Sequence, residues 1–171
     1  MDGLRALIRD VPDFPVPGIV FKDITPLLAD PKAFAETVDL MAEPWSGDGI
    51  THVVGIEARG FILGSPLALR LGAGFVPIRK PGRLPAATLR REYLLEYGTD
   101  ALEVHADAFT TADRVLVVDD VLATGGTGSA AVTLVSMLGA EVIGFGVLVE
   151  LGLLEGRERI PVVTEAVIRY G

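Results

Sequence analysis

Apolar residues recur along this chain in two rhythms that keep replacing one another. Leu4, Leu7 and Ile8 mark a helical turn at the start. A longer helix is predicted from Asp30-Pro31, with the aspartate as its cap, the proline at its first position, and Phe34, Val38 and Met41 at helical spacing. Pro44 ends that pattern. His52 to Ile56 reads as a short apolar strand, followed by a turn at Ala58-Arg59-Gly60, a helix through Leu71 and a strand ending at Ile78. Strand, helix and strand in that order imply a right-handed parallel crossover. Val115 to Val118 is a wholly apolar strand, Gly126 to Leu138 an amphipathic helix and Val142 to Val149 another strand, which predicts a second parallel unit.

Two segments break the alternation. Residues 11–22 are rich in proline (Pro12, Pro15, Pro17) and read as a loop held extended. Residues 92–106 alternate, with Tyr93, Leu95 and Tyr97 and then Leu102 and Val104, predicting a flap-like hairpin that closes through Gly98. No repeat, low-complexity tract or linker divides the chain, so one domain is expected over residues 1–171. The fold class is α/β, with a central, mostly parallel sheet flanked by helices. Ligands are expected beyond the carboxyl ends of its strands.

Composition narrows the classes of function. Half of the residues are apolar and 22% are charged, too hydrophobic for a disordered chain. The apolar run 142–149 is too short to span a bilayer. The N-terminus lacks a basic region and a long apolar stretch, so a cytoplasmic location is expected. Without cysteine there is no disulfide framework or thiolate metal site, and His52 and His105, far apart in sequence, are expected to be structural or surface residues. A net charge of -8 argues against nonspecific nucleic-acid binding. Positive charge is nevertheless concentrated in one segment, at Arg79, Lys80, Arg83, Arg90 and Arg91.

The chemistry concentrates in residues 114–127, RVLVVDDVLATGGT: a buried apolar strand ending in two acids, then a glycine-rich turn into a helix. Backbone N–H groups from Ala123, Thr124, Gly125, Gly126 and Thr127, the threonine hydroxyls and the positive end of the helix can form a cup for a phosphate dianion. Carboxylates repel phosphate, so Asp119 and Asp120 make sense beside the cup if they accept hydrogen bonds from neutral hydroxyls or face a developing cation. A ribose 5-phosphate offers both. A dinucleotide fingerprint (Gly126, Gly128, Ala131) fits less well, because its first glycine should follow the strand directly. A Walker loop would need Gly-Lys-Ser/Thr, which is absent. An ordinary strand-to-helix turn explains the glycines but not the acid pair.

This segment closely resembles the signature by which type I phosphoribosyltransferases bind phosphoribosyl pyrophosphate (PRPP), and other segments resemble the branch of that family acting on adenine. The resemblance implies the type I phosphoribosyltransferase fold, with an N-terminal hood over about residues 11–25 and a flexible flap. Residues 14–24, FPVPGIVFKDI, are similar to the hood, in which Phe21 would stack on adenine while Val20 and Lys22 offer main-chain contacts. Leu151 is the position that would cover the other face of the base. By residue type alone, Phe21 and Leu151 read as core. Residues 57–61, EARGF, resemble the pyrophosphate loop, with Arg59 on the leaving group and a cis peptide expected between Glu57 and Ala58. Residues 79–85, RKPGRLP, match the basic segment, which gives Arg79, Lys80 and Arg83 to the pyrophosphate; the alternative is a solvated charge run. The same likeness places Arg79 at a neighbouring subunit's site and so implies a homodimer.

In residues 92–98, EYLLEYG, the resemblance assigns Glu96 as the acid–base residue near the adenine imidazole edge and Tyr97 as the residue that closes over the site, although an exposed glutamate is also an ordinary surface feature. Arg90 and Arg91 depart from the family's pattern and have no assigned role. The implied activity transfers 5-phosphoribose from PRPP to adenine, giving AMP and pyrophosphate in purine salvage. Asp119 and Asp120 would hold the ribose hydroxyls, with magnesium carried mainly by PRPP. Transferases for hypoxanthine, guanine, xanthine or orotate share the cup, and the hood separates them from this branch. A PRPP-sensing regulator of the same fold would be expected to carry an N-terminal DNA-binding domain, for which the residues ahead of the hood leave no room.

Overall fold

The computed structural model describes residues 2–94 and 98–171; Leu95, Glu96 and Tyr97 lie outside the described residues, and with them the two flap candidates Glu96 and Tyr97. Along the chain come α1 (Asp2–Ala6), β1 (Arg9–Pro12), β2 (Val20–Asp23), α2 (Thr25–Ala29), α3 (Pro31–Ala42), β3 (His52–Ile56), α4 (Arg59–Leu71) and β4 (Gly74–Ile78). They are followed by β5 (Thr88–Leu94), β6 (Thr99–His105), β7 (Arg114–Leu122), α5 (Gly126–Met137), β8 (Glu141–Leu151) and β9 (Thr164–Tyr170). Five strands form one wholly parallel sheet in the order β4-β3-β7-β8-β9.

Alternate side chains of β7 build the two cores. Leu116 and Val118 pack with Met41 of α3 and Leu63 and Leu67 of α4. Val115 and Val117 pack with Ala131, Leu134 and Val135 of α5 and with Leu102 and Val104 of β6. Burial on both faces is why this strand reads as a continuous apolar run rather than an alternating one. The cap expected for α3 is present: the Asp30 carboxylate accepts from the Lys32 and Ala33 amides at 2.9 and 3.0 Å.

The structure departs from expectation in four places. β7 does not stop at Val118, because its ladder with β8 continues through Asp119↔Val147, Val121↔Val149 and Leu122↔Glu150. The acid pair therefore does not close the strand, which runs on through Val121 and Leu122. The flap hairpin starts at Thr88, earlier than residue 92, and its register runs from Thr88↔His105 to Leu94↔Thr99. The proline-rich stretch is a loop over residues 13–19, but its two ends pair as the hairpin strands β1 and β2, pinned by Arg9–Asp23 and Lys22–Asp10 ion pairs, each at 2.6 Å. Finally, α2 and the edge strand β9 had no counterpart in the sequence reading. Among the described residues no helix is long and apolar enough to cross a membrane.

Candidate active site

The sheet reverses its winding between β3 and β7: one connection runs outward to β4, the other to β8 and β9 on the opposite side. In an open parallel sheet, the crevice outside the carboxyl ends at such a point is where ligands are bound. The chain delivers its chemistry there. β3 ends into Glu57, Ala58 and Arg59, and β7 carries Asp119 and Asp120 near its end. The peptide between Glu57 and Ala58 is cis.

After β7 the loop from Ala123 to Thr127 wraps a hollow of about 90 Å³, closed at the sides by Asp119 and Phe145. Gly125 stands at the N-cap of α5 with φ +80°, and no side chain among the described residues caps the helix. The positive end of a twelve-residue helix thus opens into the hollow without a resident acceptor. That is a site an anion can fill.

Asp119 and Asp120 lie beside it. Asp119 Oδ1 accepts the Asp120 amide at 2.9 Å, and Arg59 Nε lies 2.8 Å from Asp120 Oδ2. Gly60 makes this closeness possible, since a Cβ there would stand 2.8 Å from the Val118 carbonyl oxygen and 3.2 Å from Asp119 Oδ1. Burial, and then the neighbouring Asp120 charge, push the Asp119 carboxyl well above the usual carboxylate range. Burial also raises Asp120, but the Arg59 guanidinium opposes the shift.

Arg59 also reaches the hood. Its guanidinium carbon is 4.8 Å from the centre of the Phe21 ring, which in turn meets Phe14 edge-on at 5.2 Å. Arg59 therefore bridges Phe21 and Asp120, over the ring on one side and paired with the carboxylate on the other. Val20 is half exposed next to Phe21. The Lys22 side chain is engaged with Asp10 at 2.6 Å and lies over the Tyr170 ring at 4.1 Å. Leu151 ends β8 at the same edge of the sheet, partly buried against the first core and opposite Tyr170.

Two cations of the basic segment, Arg79 and Lys80, are held by acids. Arg79 Nε and Nη2 reach the two Glu57 oxygens at 3.1 and 3.2 Å, and its Nη1 donates to the Arg83 carbonyl at 3.0 Å. Glu57 also accepts the Lys80 amide at 3.0 Å. The Arg79 hydrogen bonds hold the Glu57 carboxyl below its ordinary value despite partial burial. Lys80 Nζ pairs with Asp100 and donates to the Tyr93 hydroxyl at 3.3 Å. Burial alone would push Lys80 down and Asp100 up, but their mutual pairing leaves Lys80 raised and Asp100 lowered. Arg83 itself is exposed. Arg90 and Arg91 are exposed on β5, where Arg90 pairs with Glu92 at 3.0 Å.

Four residues of this network were not singled out from the sequence: Glu57, Tyr93, Asp100 and Glu103. Glu103 accepts the Gly82 amide at 3.0 Å. Tyr93 links the flap to the 123–127 loop, its hydroxyl accepting from Thr127 Oγ1 at 3.3 Å. Glu57 and Tyr93 stood inside the quoted motifs, but nothing in the sequence assigns an acid to the cation it will meet. A larger hollow of about 970 Å³ lies among Leu40, Trp45, Ile50, Arg70 and Leu71. It opens at the amino ends of the strands and shares no residue with this crevice.

Comparison with known proteins identifies the family. The family model described as "Phosphoribosyl transferase domain" matches residues 26–166. The adenine phosphoribosyltransferase of Streptomyces coelicolor is 62% identical over 157 residues, 92% of this chain and 86% of that protein. The crystal structure of adenine phosphoribosyltransferase from Thermoanaerobacter pseudethanolicus superposes with a TM-score of 0.96 at 49% identity, covering 99% of each chain. The Giardia lamblia enzyme, solved in complex with 9-deazaadenine, superposes with a TM-score of 0.94 at 40% identity, covering 99% of this chain and 97% of that one. With the loop, the acid pair and the Arg59 turn at the switch point of a sheet shared with these relatives, the chain belongs to the phosphoribosyl transferase domain family and, within it, to the adenine phosphoribosyltransferases.

Proposed function

We propose that phosphoribosyl transfer takes place in the crevice between the carboxyl ends of β3 and β7. The protein transfers 5-phosphoribose from PRPP to adenine, giving AMP and pyrophosphate in purine salvage. The observation that carries the assignment of the site is the uncapped Ala123–Thr127 loop, set against Asp119 and Asp120 with Arg59 at 2.8 Å.

In this reading the loop holds the 5-phosphate through its amides and the Thr124 and Thr127 hydroxyls. Asp119 and Asp120 accept hydrogen bonds from the ribose hydroxyls and favour the positive charge that develops on the sugar. Arg59, Lys80 and Arg83 hold the pyrophosphate. Arg79 serves the partner subunit's site in a homodimer, and a cytoplasmic location completes the reading. Adenine stacks on Phe21, with Val20 and Lys22 reading its edge through their main chain and Leu151 covering the opposite face. The Lys22 side chain, tied to Asp10, leaves that role to its backbone. Glu96 acts as the acid–base residue at the imidazole edge and Tyr97 closes the site, supported by their place between β5 and β6.

Magnesium fits as an ion carried by substrate. Among the described residues no three His, Cys, Asp or Glu side chains gather as a metal cage, and Asp120 already faces Arg59. Carried by PRPP, such an ion would supply neutralisation of the leaving group's charge. The chain's own work is positioning and charge stabilisation, in which one well-placed group contributes about 3–4 kcal/mol.

The test is to incubate the protein with PRPP and magnesium and, in turn, adenine, hypoxanthine, guanine and orotate. AMP from adenine and no nucleotide from the others is the expected result. Nucleotide from another base, with none from adenine, would overturn the reading.

A further inference from the structure

The connection between β8 and β9 carries no motif, yet its backbone is pressed against the 123–127 loop. A Cβ on Gly125 would run into the Gly156 carbonyl oxygen, and a Cβ on Gly156 would run into the Ala123 carbonyl and lie 2.8 Å from the Gly125 nitrogen. Two glycines therefore let two main chains touch, and Gly156 is not among the residues that line the hollow.

The residue after Gly156 is fixed by a buried acid. Arg157 Nε and Nη2 meet the two Glu150 oxygens at 3.1 and 2.5 Å, and its Nη1 donates to the Thr164 carbonyl. Glu150 is 3% exposed, and the Arg157 hydrogen bonds hold its carboxyl below the ordinary range. It lies on β8 directly opposite Leu122, the residue that precedes the loop. The contacts close a ring: Leu122 to Glu150 across the sheet, Glu150 to Arg157, and Gly156 back to Ala123 and Gly125. No step of the transfer uses this carboxylate, although an ionised group so deeply buried is costly unless its partner is held in place.

We infer that Glu150 and Arg157 are positioning residues for the phosphate loop. The forked ion pair clamps Gly156 against Ala123 and Gly125 and so keeps the loop amides aimed at the 5-phosphate. This rests on the reading that the loop binds that phosphate. The pair acts on one end of one substrate, so its loss should fall on PRPP and AMP and leave adenine alone, whereas a general loss of packing would affect both substrates.

The experiment measures KM for PRPP and for adenine, and the AMP dissociation constant, for Arg157→Ala, Arg157→Lys, Gly156→Ala and Thr124→Ala, at a temperature where each is folded by circular dichroism. Arg157→Ala and Gly156→Ala are expected to raise the PRPP KM and weaken AMP by about 10- to 100-fold, the scale of a small misplacement, with adenine KM changed less than about threefold. Arg157→Lys keeps a charge for Glu150 without the fork and should fall between wild type and alanine. If Arg157→Ala does not fold, the lysine and Gly156 variants carry the test. Thr124→Ala tests the loop itself: an unmoved PRPP KM there overturns the phosphate-loop reading. If Thr124→Ala raises it while the Gly156 and Arg157 variants move both substrates alike, or neither, the positioning role alone is overturned.

Discussion

Arg59 Nε lies 2.8 Å from Asp120 Oδ2 while the same guanidinium covers the Phe21 ring at 4.8 Å. In the free protein one side chain thus stands between the acid proposed for the ribose and the ring proposed for the base. Pyrophosphate is the stronger anion for a planar guanidinium, so PRPP should draw Arg59 away and open both places. Arg59→Ala is expected to lower kcat/KM for PRPP by about 10²- to 10³-fold. Calorimetry should show adenine binding the free variant at least as well as it binds wild type. Weaker adenine binding would show that Arg59 supports the base and does not screen it.

Phe21 is held edge-on by Phe14 and is the aromatic face the hood offers. Stacking of a base on an aromatic ring is worth about 1–3 kcal/mol. Phe21→Ala should therefore raise the adenine KM by about 10- to 100-fold and leave the PRPP KM nearly unchanged, and Phe21→Trp should restore most of the loss. Steady-state kinetics with each substrate varied in turn decides it.

Burying the Asp119 carboxyl beside Asp120 is a cost the fold bears for the site. Its carboxyl is raised by burial and by Asp120, so its ionised form destabilises the free protein at neutral pH. Asn at this position keeps the oxygen that accepts the Asp120 amide. Asp119→Asn should then raise stability at pH 7 by about 0.5–2 kcal/mol, in the manner of other function-imposed costs, while turnover falls by about 10²-fold or more. Denaturant melts and AMP production on the same sample test both halves.

The signs of the shifts set the pH profile. Glu57, Asp100 and Glu150 have lowered carboxyl values, so the stability they add is present above their unfolded values and is lost as pH falls through their folded ones. Asp119 acts the other way: its carboxyl is raised, so the stability tied to its protonation is present below its unfolded value and is lost as pH rises through the raised folded one. Tm is expected to hold or rise on mild acidification from pH 7 and to drop once pH passes below about 4, the ordinary carboxylate range. Asp119→Asn should shrink the early rise, Asp120 keeping a raised carboxyl of its own, and keep the acid drop.

Much of this was legible in the sequence because it is written in local patterns. The 114–127 segment, the Asp30 cap and the strand–helix–strand order need only neighbours in the chain. β7 was read too short, because hydrophobicity ends at Val118 while backbone pairing with β8 carries the strand through both acids. β9 was missed because an edge strand buries few side chains, chiefly Thr164 and Ile168 here, and so lacks a sustained apolar run. The ties of Glu57 to Arg79, Asp100 to Lys80 and Glu150 to Arg157 could not be read at all. They pair residues 22, 20 and 7 positions apart, and only the folded sheet edge brings them together.

The most direct measurement is a crystal structure of the protein with AMP. The account predicts the phosphate inside the Ala123–Thr127 loop, with amide nitrogens at about 3 Å, the ribose hydroxyls on Asp119 and Asp120, and adenine on Phe21 in the place Arg59 has left. AMP bound in another hollow, with that loop unoccupied and Arg59 still over Phe21, would contradict it.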